Sequence, residues 1–136
     1  MTTATQAKEL PIPHDATALV GRILLAVLFL LAGIGKLPAA EATTGYIASV
    51  GLPLPGVVFY LTVALELLGG LALIVGYKTR YVALALGLFS IAAAAIFHNN
   101  LADQMQMTMF LKNFAIAGGM FMLALYGPGR LSIDRG

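Results

Sequence analysis

Four long apolar stretches alternate along the chain with shorter segments that are polar or contain proline. The first runs from about Ala18 to Lys36, the second from about Pro55 to Gly76, the third from about Arg80 to Phe97 and the fourth from about Met109 to Tyr126. About twenty apolar residues, rising 1.5 Å each, cross a hydrocarbon core of about 30 Å. Each stretch is therefore long enough to span a bilayer as a helix. None alternates apolar and polar positions as a barrel strand does, and a helix satisfies its own backbone hydrogen bonds in lipid. Pro53 and Pro55 mark the start of the second span, and Gly127-Pro128-Gly129 ends the fourth. The pattern predicts an all-α membrane protein, a four-transmembrane-helix bundle over residues 18–136. A polar arm, residues 1–17 with Pro11 and Pro13, precedes it.

Polar residues are few within the spans, and they fall on single faces. In the first span Arg22, Ala26, Phe29, Gly33 and Lys36 recur at helical spacing; in the second Thr62, Glu66, Gly69 and Gly70 do so. The third carries Arg80, Ala83, Gly87, Ser90, Ala94 and His98, and the fourth Lys112, Ala115, Gly119, Met122 and Tyr126. Small residues let helix backbones approach closely, as in Ala72-x3-Gly76, Ala83-x3-Gly87 and Ala115-x3-Gly119. These four faces are expected to meet inside the bundle, with Leu, Ile, Val and Phe turned to lipid.

Composition strengthens this reading. Apolar residues make up 60% of the chain, against eight Lys or Arg and six Asp or Glu. A soluble domain carries about a quarter charged residues, so lipid is the expected solvent here. No run of Lys and Arg suggests nucleic acid. Cysteine is absent, which excludes disulfides and thiolate chemistry within the chain. With the N-terminus inside, Lys8, Arg22, Lys78, Arg80, Arg130 and Arg135 lie on the cytoplasmic side and only Lys36 and Lys112 toward the outside. That bias predicts an N-in, C-in topology, and Tyr77, Tyr81 and Tyr126 then share the inner interface. A cleavable signal peptide competes for the first span, because Ala40-Glu41-Ala42 has the small-x-small form. The long apolar stretch and the mixed charge of the leader favour a retained span. The two halves are weakly alike: Arg22 and Arg80 open the first and third spans, while Gly69-Gly70 and Gly118-Gly119 lie in the second and fourth. Duplication of a helix pair explains this, as does the general use of small residues at helix contacts.

The singular residue is Glu66, near the middle of the second span. A carboxylate at that depth needs a proton or a cationic partner, and Arg22 is the first choice. Such a group either fixes helix register as a buried pair or handles protons and ligands. Lys36, His98, Asn99, Asn100, Lys112 and Asn113 gather at the outer end from three spans. They make either a site for the polar head of a lipophilic molecule, such as a quinone carbonyl, or an ordinary wet interface with snorkelling lysines. His98 is a further proton-handling residue. His14 lies in the opposite tail, which argues against a bis-His haem. Met105, Met107 and Met109 alternate with Gln104, Gln106 and Thr108. Thioethers at that spacing suit Cu(I) but are more often flexible apolar filler, so no metal site is assigned.

LVGRILLAVLFLLAGIGKL, the Gly51-x-Pro53 turn, ALELLGGLALIVGYKTRYVALAL, the Phe97-His98 pair, FLKNFAIAGG and GPGRLSIDRG together resemble the DoxX family of small bacterial inner-membrane proteins. The likeness covers nearly all of residues 18–136. Its most specific parts are Glu66-x2-Gly69-Gly70 running on to Gly76 and Arg80, and Lys112-Asn113 with its downstream glycine pair. The Met-Gln run departs from the family pattern. The resemblance implies a four-helix fold in the bacterial inner (cytoplasmic) membrane. It carries Arg22, Lys36, Glu66, Arg80, His98, Lys112 and Asn113 over as matching positions. Members are described as membrane subunits of thiosulfate:quinone or quinol oxidoreductases, or as partners of enzymes that handle sulfur and oxidative stress. A shared fold does not by itself transfer a reaction.

The leading expectation is a membrane subunit in quinone-linked redox metabolism. Glu66 would take or supply a proton, Arg22 would balance its charge, and Lys36, His98, Lys112 and Asn113 would engage the polar head. No covalently bound cofactor is expected, and a soluble redox partner would supply the electron carrier. The alternatives are a non-enzymatic anchor that recruits partners through its tails, residues 128–136 above all, and a small transporter working as a homo-oligomer.

Overall fold

The computed structural model of the chain describes residues 9–136, and all the regular structure among them is helical. Four helices are long and apolar enough to cross a membrane: α1 (His14–Lys36), α3 (Pro55–Val75), α4 (Thr79–Phe97) and α5 (Gln104–Tyr126). Between the first two lies a short helix, α2 (Ala40–Ser49). Lys8 and the rest of residues 1–8 lie outside the described residues.

The helix ends differ from the sequence reading for local reasons. Pro13 precedes α1, which begins at His14 rather than near 18, and Asp15 in its first turn suits the positive end of the helix dipole. For α5 the start is Gln104 rather than 109, because the Asp103 side chain accepts hydrogen bonds from the Met105 and Gln106 backbone N–H groups at 2.9 and 3.4 Å. The Asp103-x2-Gln106 spacing is a capping signal hidden inside the Met-Gln run. The segment expected to be a plain connection, 37–54, contains α2. Too short to be stable alone, α2 is held by Ile47, which packs with Phe59 and Val63 of α3.

Packing joins α1 chiefly to α3 and α4 chiefly to α5, with a lesser contact between α3 and α4. The central core is Ala26, Phe29, Leu73, Ala83, Leu86 and Met120. The expected inner faces hold in the main for three spans: Arg22, Ala26, Phe29 and Gly33 are buried on α1, Glu66, Gly69 and Gly70 on α3, and Ala83, Gly87, Ser90 and Ala94 on α4, where Arg80 alone is exposed. The fourth face is different. α5 buries Ala117 and Met120, while Lys112 and Ala115 are exposed and Met122 and Tyr126 are 57% and 70% exposed. Gly87 sets this rotation, since a Cβ there would lie 2.7 Å from the Phe121 ring and 3.2 Å from Met120 Cβ. Leu24, Leu31, Leu61, Leu68, Leu88 and Leu125 stay exposed on the outer faces, a surface that lipid covers and water would not tolerate.

The turn between α3 and α4 is braced by the C-terminal tail. Gly76 ends α3 at φ +71°, and Lys78, at φ +45°, leads into α4. The Ile133 N–H donates to Val75 O and the Asp134 N–H to Gly76 O, both at 2.9 Å. The Asp134 carboxylate accepts from the Lys78 and Thr79 N–H groups at 2.9 and 2.8 Å. These bonds hold Lys78 in a left-handed conformation that costs a non-glycine residue about 1–2 kcal/mol. Desolvation alone would raise the Asp134 carboxyl, but its bonds to Thr79 and Lys78 and the nearby Arg22 charge outweigh it and hold it below the ordinary aspartate value. The Arg130 N–H donates to Asp15 Oδ1 at 3.0 Å. The tail and the start of α1 therefore share one end of the bundle, and α2 sits at the other.

Candidate functional site

The antiparallel register of α1 and α3 decides which charges meet. A Cβ on Gly33 would lie 3.3 Å from Glu66 Cβ, and one on Gly70 would lie 3.2 Å from Ala26 O. Glu66 is thus level with Gly33, one turn from Lys36. Arg22 is eleven residues further down α1, about 16 Å away at 1.5 Å per residue. The expected Arg22–Glu66 pair is accordingly not formed. Lys36 Nζ lies 2.8 Å from Glu66 Oε1 and 3.1 Å from Oε2. Only the contact to Oε2 has hydrogen-bond geometry, so Oε1 is ion-paired but lacks a hydrogen-bonding partner. Glu66 is 2% exposed, whereas the Lys36 side chain is 29% exposed and reaches down from the α2 end.

Arg22 does other work. It is 1% exposed, and its Nη1 donates to Leu73 O at 2.9 Å and Ile74 O at 3.1 Å, while Nη2 donates to Leu131 O. The last carbonyls of a helix have no partner within it, and Arg22 supplies one for α3. Arg80, carried over by the resemblance, does the same for α5 by donating to Ala124 O and Leu125 O. Both arginines cap helix ends.

The other five predicted residues converge. A partly open cavity of about 420 Å³ lies between the four spans in the half of the bundle nearer α2. Lys36, Glu66, His98, Lys112 and Asn113 all line it, and Arg22 does not. Phe29, Phe89, Phe97, Ile47 and Ile116 make much of the rest of its wall, with Thr62 and Ser90 also in the lining. The Ser90 hydroxyl is turned to its own helix, donating to Leu86 O at 2.8 Å. His98 Nδ1 lies 3.1 Å from Gln106 Oε1. Apolar walls with a few converging polar groups are the usual form of a small-molecule site. This one offers a deep carboxylate–ammonium pair and, nearer the rim, an imidazole, an ammonium and an amide.

Sequence reasoning missed three residues here. Tyr46 and Ile47 are hidden because no pattern in 37–54 announces α2, and Gln106 because it precedes the span expected from about Met109, whereas α5 begins at Gln104. Among the described residues no three His, Cys, Asp or Glu side chains group as metal ligands. Met105 and Met109 share one helix face and Met107 points the other way, since residues four apart align and residues two apart do not.

The fold and cleft define a class: a polytopic helical membrane protein with a ligand-sized opening among its spans. The sequence profile of the DoxX family matches residues 17–99, and the chain belongs to that family. It is 42% identical over 122 residues to Inner membrane protein YqjF of Escherichia coli K12, covering 90% of this chain and 92% of the relative. Inner membrane protein YphA of the same organism is 31% identical over 122 residues, covering 86% and 87%. ER-derived vesicles protein ERV29 of Saccharomyces cerevisiae is 31% identical over 80 residues, 55% of this chain and 26% of that protein. No solved structure matches. With four membrane-length helices and these relatives, the chain is a multi-pass inner-membrane protein.

Proposed function

We propose that the cleft binds a quinone, or a lipophilic molecule with a similar polar ring, and that the protein serves quinone-linked redox metabolism as a membrane subunit. The observation that carries this is the convergence of Lys36, Glu66, His98, Lys112 and Asn113 on one largely apolar cavity. Aromatic and aliphatic walls suit a ring and its tail, while Lys112, Asn113 and His98 suit its oxygens. Glu66 exchanges a proton with the bound molecule, and Lys36, in place of Arg22, balances its charge. Electrons come from a partner protein. The topology proposed with this reading is N-in and C-in: Arg22, Lys78, Arg80, Arg130 and Arg135 are at the end shared by the tail and the start of α1, while Lys36 and Lys112 line the cleft toward α2. Reporter fusions at residue 136 and in the 98–103 loop test that orientation.

The direct test is mass spectrometry of protein extracted gently from its native membrane. Quinone is expected to accompany the wild type and to be lost from Glu66→Gln and His98→Ala variants that keep their helical circular dichroism. Wild-type protein that carries no quinone and binds no added short-chain quinone in nanodiscs overturns the reading. The anchor alternative has less support, because the backbone of Leu131, Ile133 and Asp134 is already engaged within the molecule.

A further inference from the structure

The α2 end holds a second cavity, of about 370 Å³, with polar walls from Asn99, Asn100, Asp103 and Gln106. It shares two residues with the cleft, Tyr46 and Phe97. These two side chains touch, with ring centroids 5.6 Å apart and planes inclined by 36°. The Tyr46 hydroxyl also donates to Phe97 O at 2.7 Å. We propose that this polar vestibule is the water-side access to the cleft, with Tyr46 against Phe97 as its gate, through which small hydrophilic molecules and protons reach the Lys36–Glu66 pair.

Three features make the contact a gate rather than a fixed wall. Phe97 is the last residue of α4, so its carbonyl has no partner further along that helix. Water can replace the tyrosine hydroxyl there at little cost. Tyr46 is 45% exposed, so its ring can swing outward while Ile47 keeps α2 seated on α3, and the gate opens without disturbing the four spans. Beside the gate, His98 lines the cleft while its hydrogen-bond partner Gln106 lines the vestibule. A polar bridge therefore already runs between the two spaces. The inference goes beyond the quinone reading and holds for whichever lipophilic molecule fills the cleft.

The absence of cysteine supplies the test. Ala93 lines the cleft but not the vestibule, so Ala93→Cys places a single thiol behind the gate. The full chain in nanodiscs is labelled either with a charged, membrane-impermeant methanethiosulfonate or with a lipid-soluble maleimide. Tyr46→Phe keeps the ring and removes the hydroxyl, and is expected to speed the charged reagent about fivefold, the factor for one lost hydrogen bond. Tyr46→Ala speeds it further, and Asn100→Trp, which fills the vestibule, slows it. Maleimide rates stay the same throughout. The proposal is overturned if the charged reagent is indifferent to all three changes, or if both reagents accelerate together, as a generally loosened fold would give. Gated labelling in a protein that binds no quinone keeps the vestibule and removes only the ligand reading.

Discussion

In both helix pairs an arginine of the first helix reaches the last carbonyls of the second: Arg22 of α1 those of α3, Arg80 of α4 those of α5. In both, the second helix ends on a glycine of positive φ, Gly76 at +71° and Gly127 at +83°. A Cβ at either would lie 2.8 Å from the arginine of its own pair. The pairs part company deeper in the membrane. Glu66 stands ten residues before Gly76, and Lys36 fourteen after Arg22; the matching positions in the other pair are Ala117 and Ala94. Both alanines are buried, at 1% and 0% exposure. One pair thus packs its middle with methyl groups where the other holds an ion pair. The architecture does not require that ion pair, and replacing a buried salt bridge by well-packed apolar groups is often neutral or stabilising. The charges at Lys36 and Glu66 line the cleft, and the proposed ligand reading gives them a use that the packing alone does not.

The comparison can be broken most severely at that ion pair. Lys36→Ala leaves Glu66 buried without a counter-ion and is expected to destabilise by about 3–5 kcal/mol, whereas Lys36→Met with Glu66→Leu returns to within about 1 kcal/mol of wild type or exceeds it. Unfolding in mixed detergent micelles measures both, and a double variant as unstable as the single one would show that the charges serve the fold. Next comes Arg22→Ala, which leaves three carbonyls without their donor and costs about 3 kcal/mol. Its counterpart Arg80→Ala is expected to cost at most about 1 kcal/mol, because exposed groups find other partners. Equal losses would end the distinction between a sealed and an open cap.

Gly76→Ala is expected to cost about 2 kcal/mol, from its positive φ and from overlap with Ser132, and to loosen the tail as well. The smallest effect is Asp134→Asn, about 1 kcal/mol as for a helix cap. Because the folded Asp134 carboxyl sits below its unfolded value, its contribution is fully present above about pH 4 and fades as pH falls through the lower folded value. Thermal midpoints compared at pH 6 and pH 3 should fall further in the wild type than in Asp134→Asn. A variant as acid-sensitive as wild type would clear Asp134 of the role.

Much of this was legible in the sequence. Four spans follow from length and hydropathy, and three inner faces from spacing, because burying a charge dictates direction whatever the partner. The partner itself was not legible. Arg22 and Lys36 lie on the same stripe of α1, and only the sliding register of α1 against α3, set by close approach at Gly33 and Gly70, selects Lys36. The α5 face was misread because Ala115-x3-Gly119 mimics a contact that Ala117 and Met120 actually make. α2 escaped because a short helix of mixed polarity is stabilised by what it packs on, here through Ile47, and not by a pattern of its own. Its loss from view hid Tyr46 and with it one wall of the cleft.

The brace beneath α3 also bears on biogenesis. Ile133 and Asp134 complete the helix end at Val75 and Gly76 and Leu131 O accepts from Arg22, yet all three follow α4 and α5 in the chain. Until both later spans have left the ribosome and inserted, the guanidinium of the first span lacks one of its carbonyls and the α3–α4 turn lacks its carboxylate. The end of the bundle where α1 starts is therefore completed by the last residues of the chain to be made.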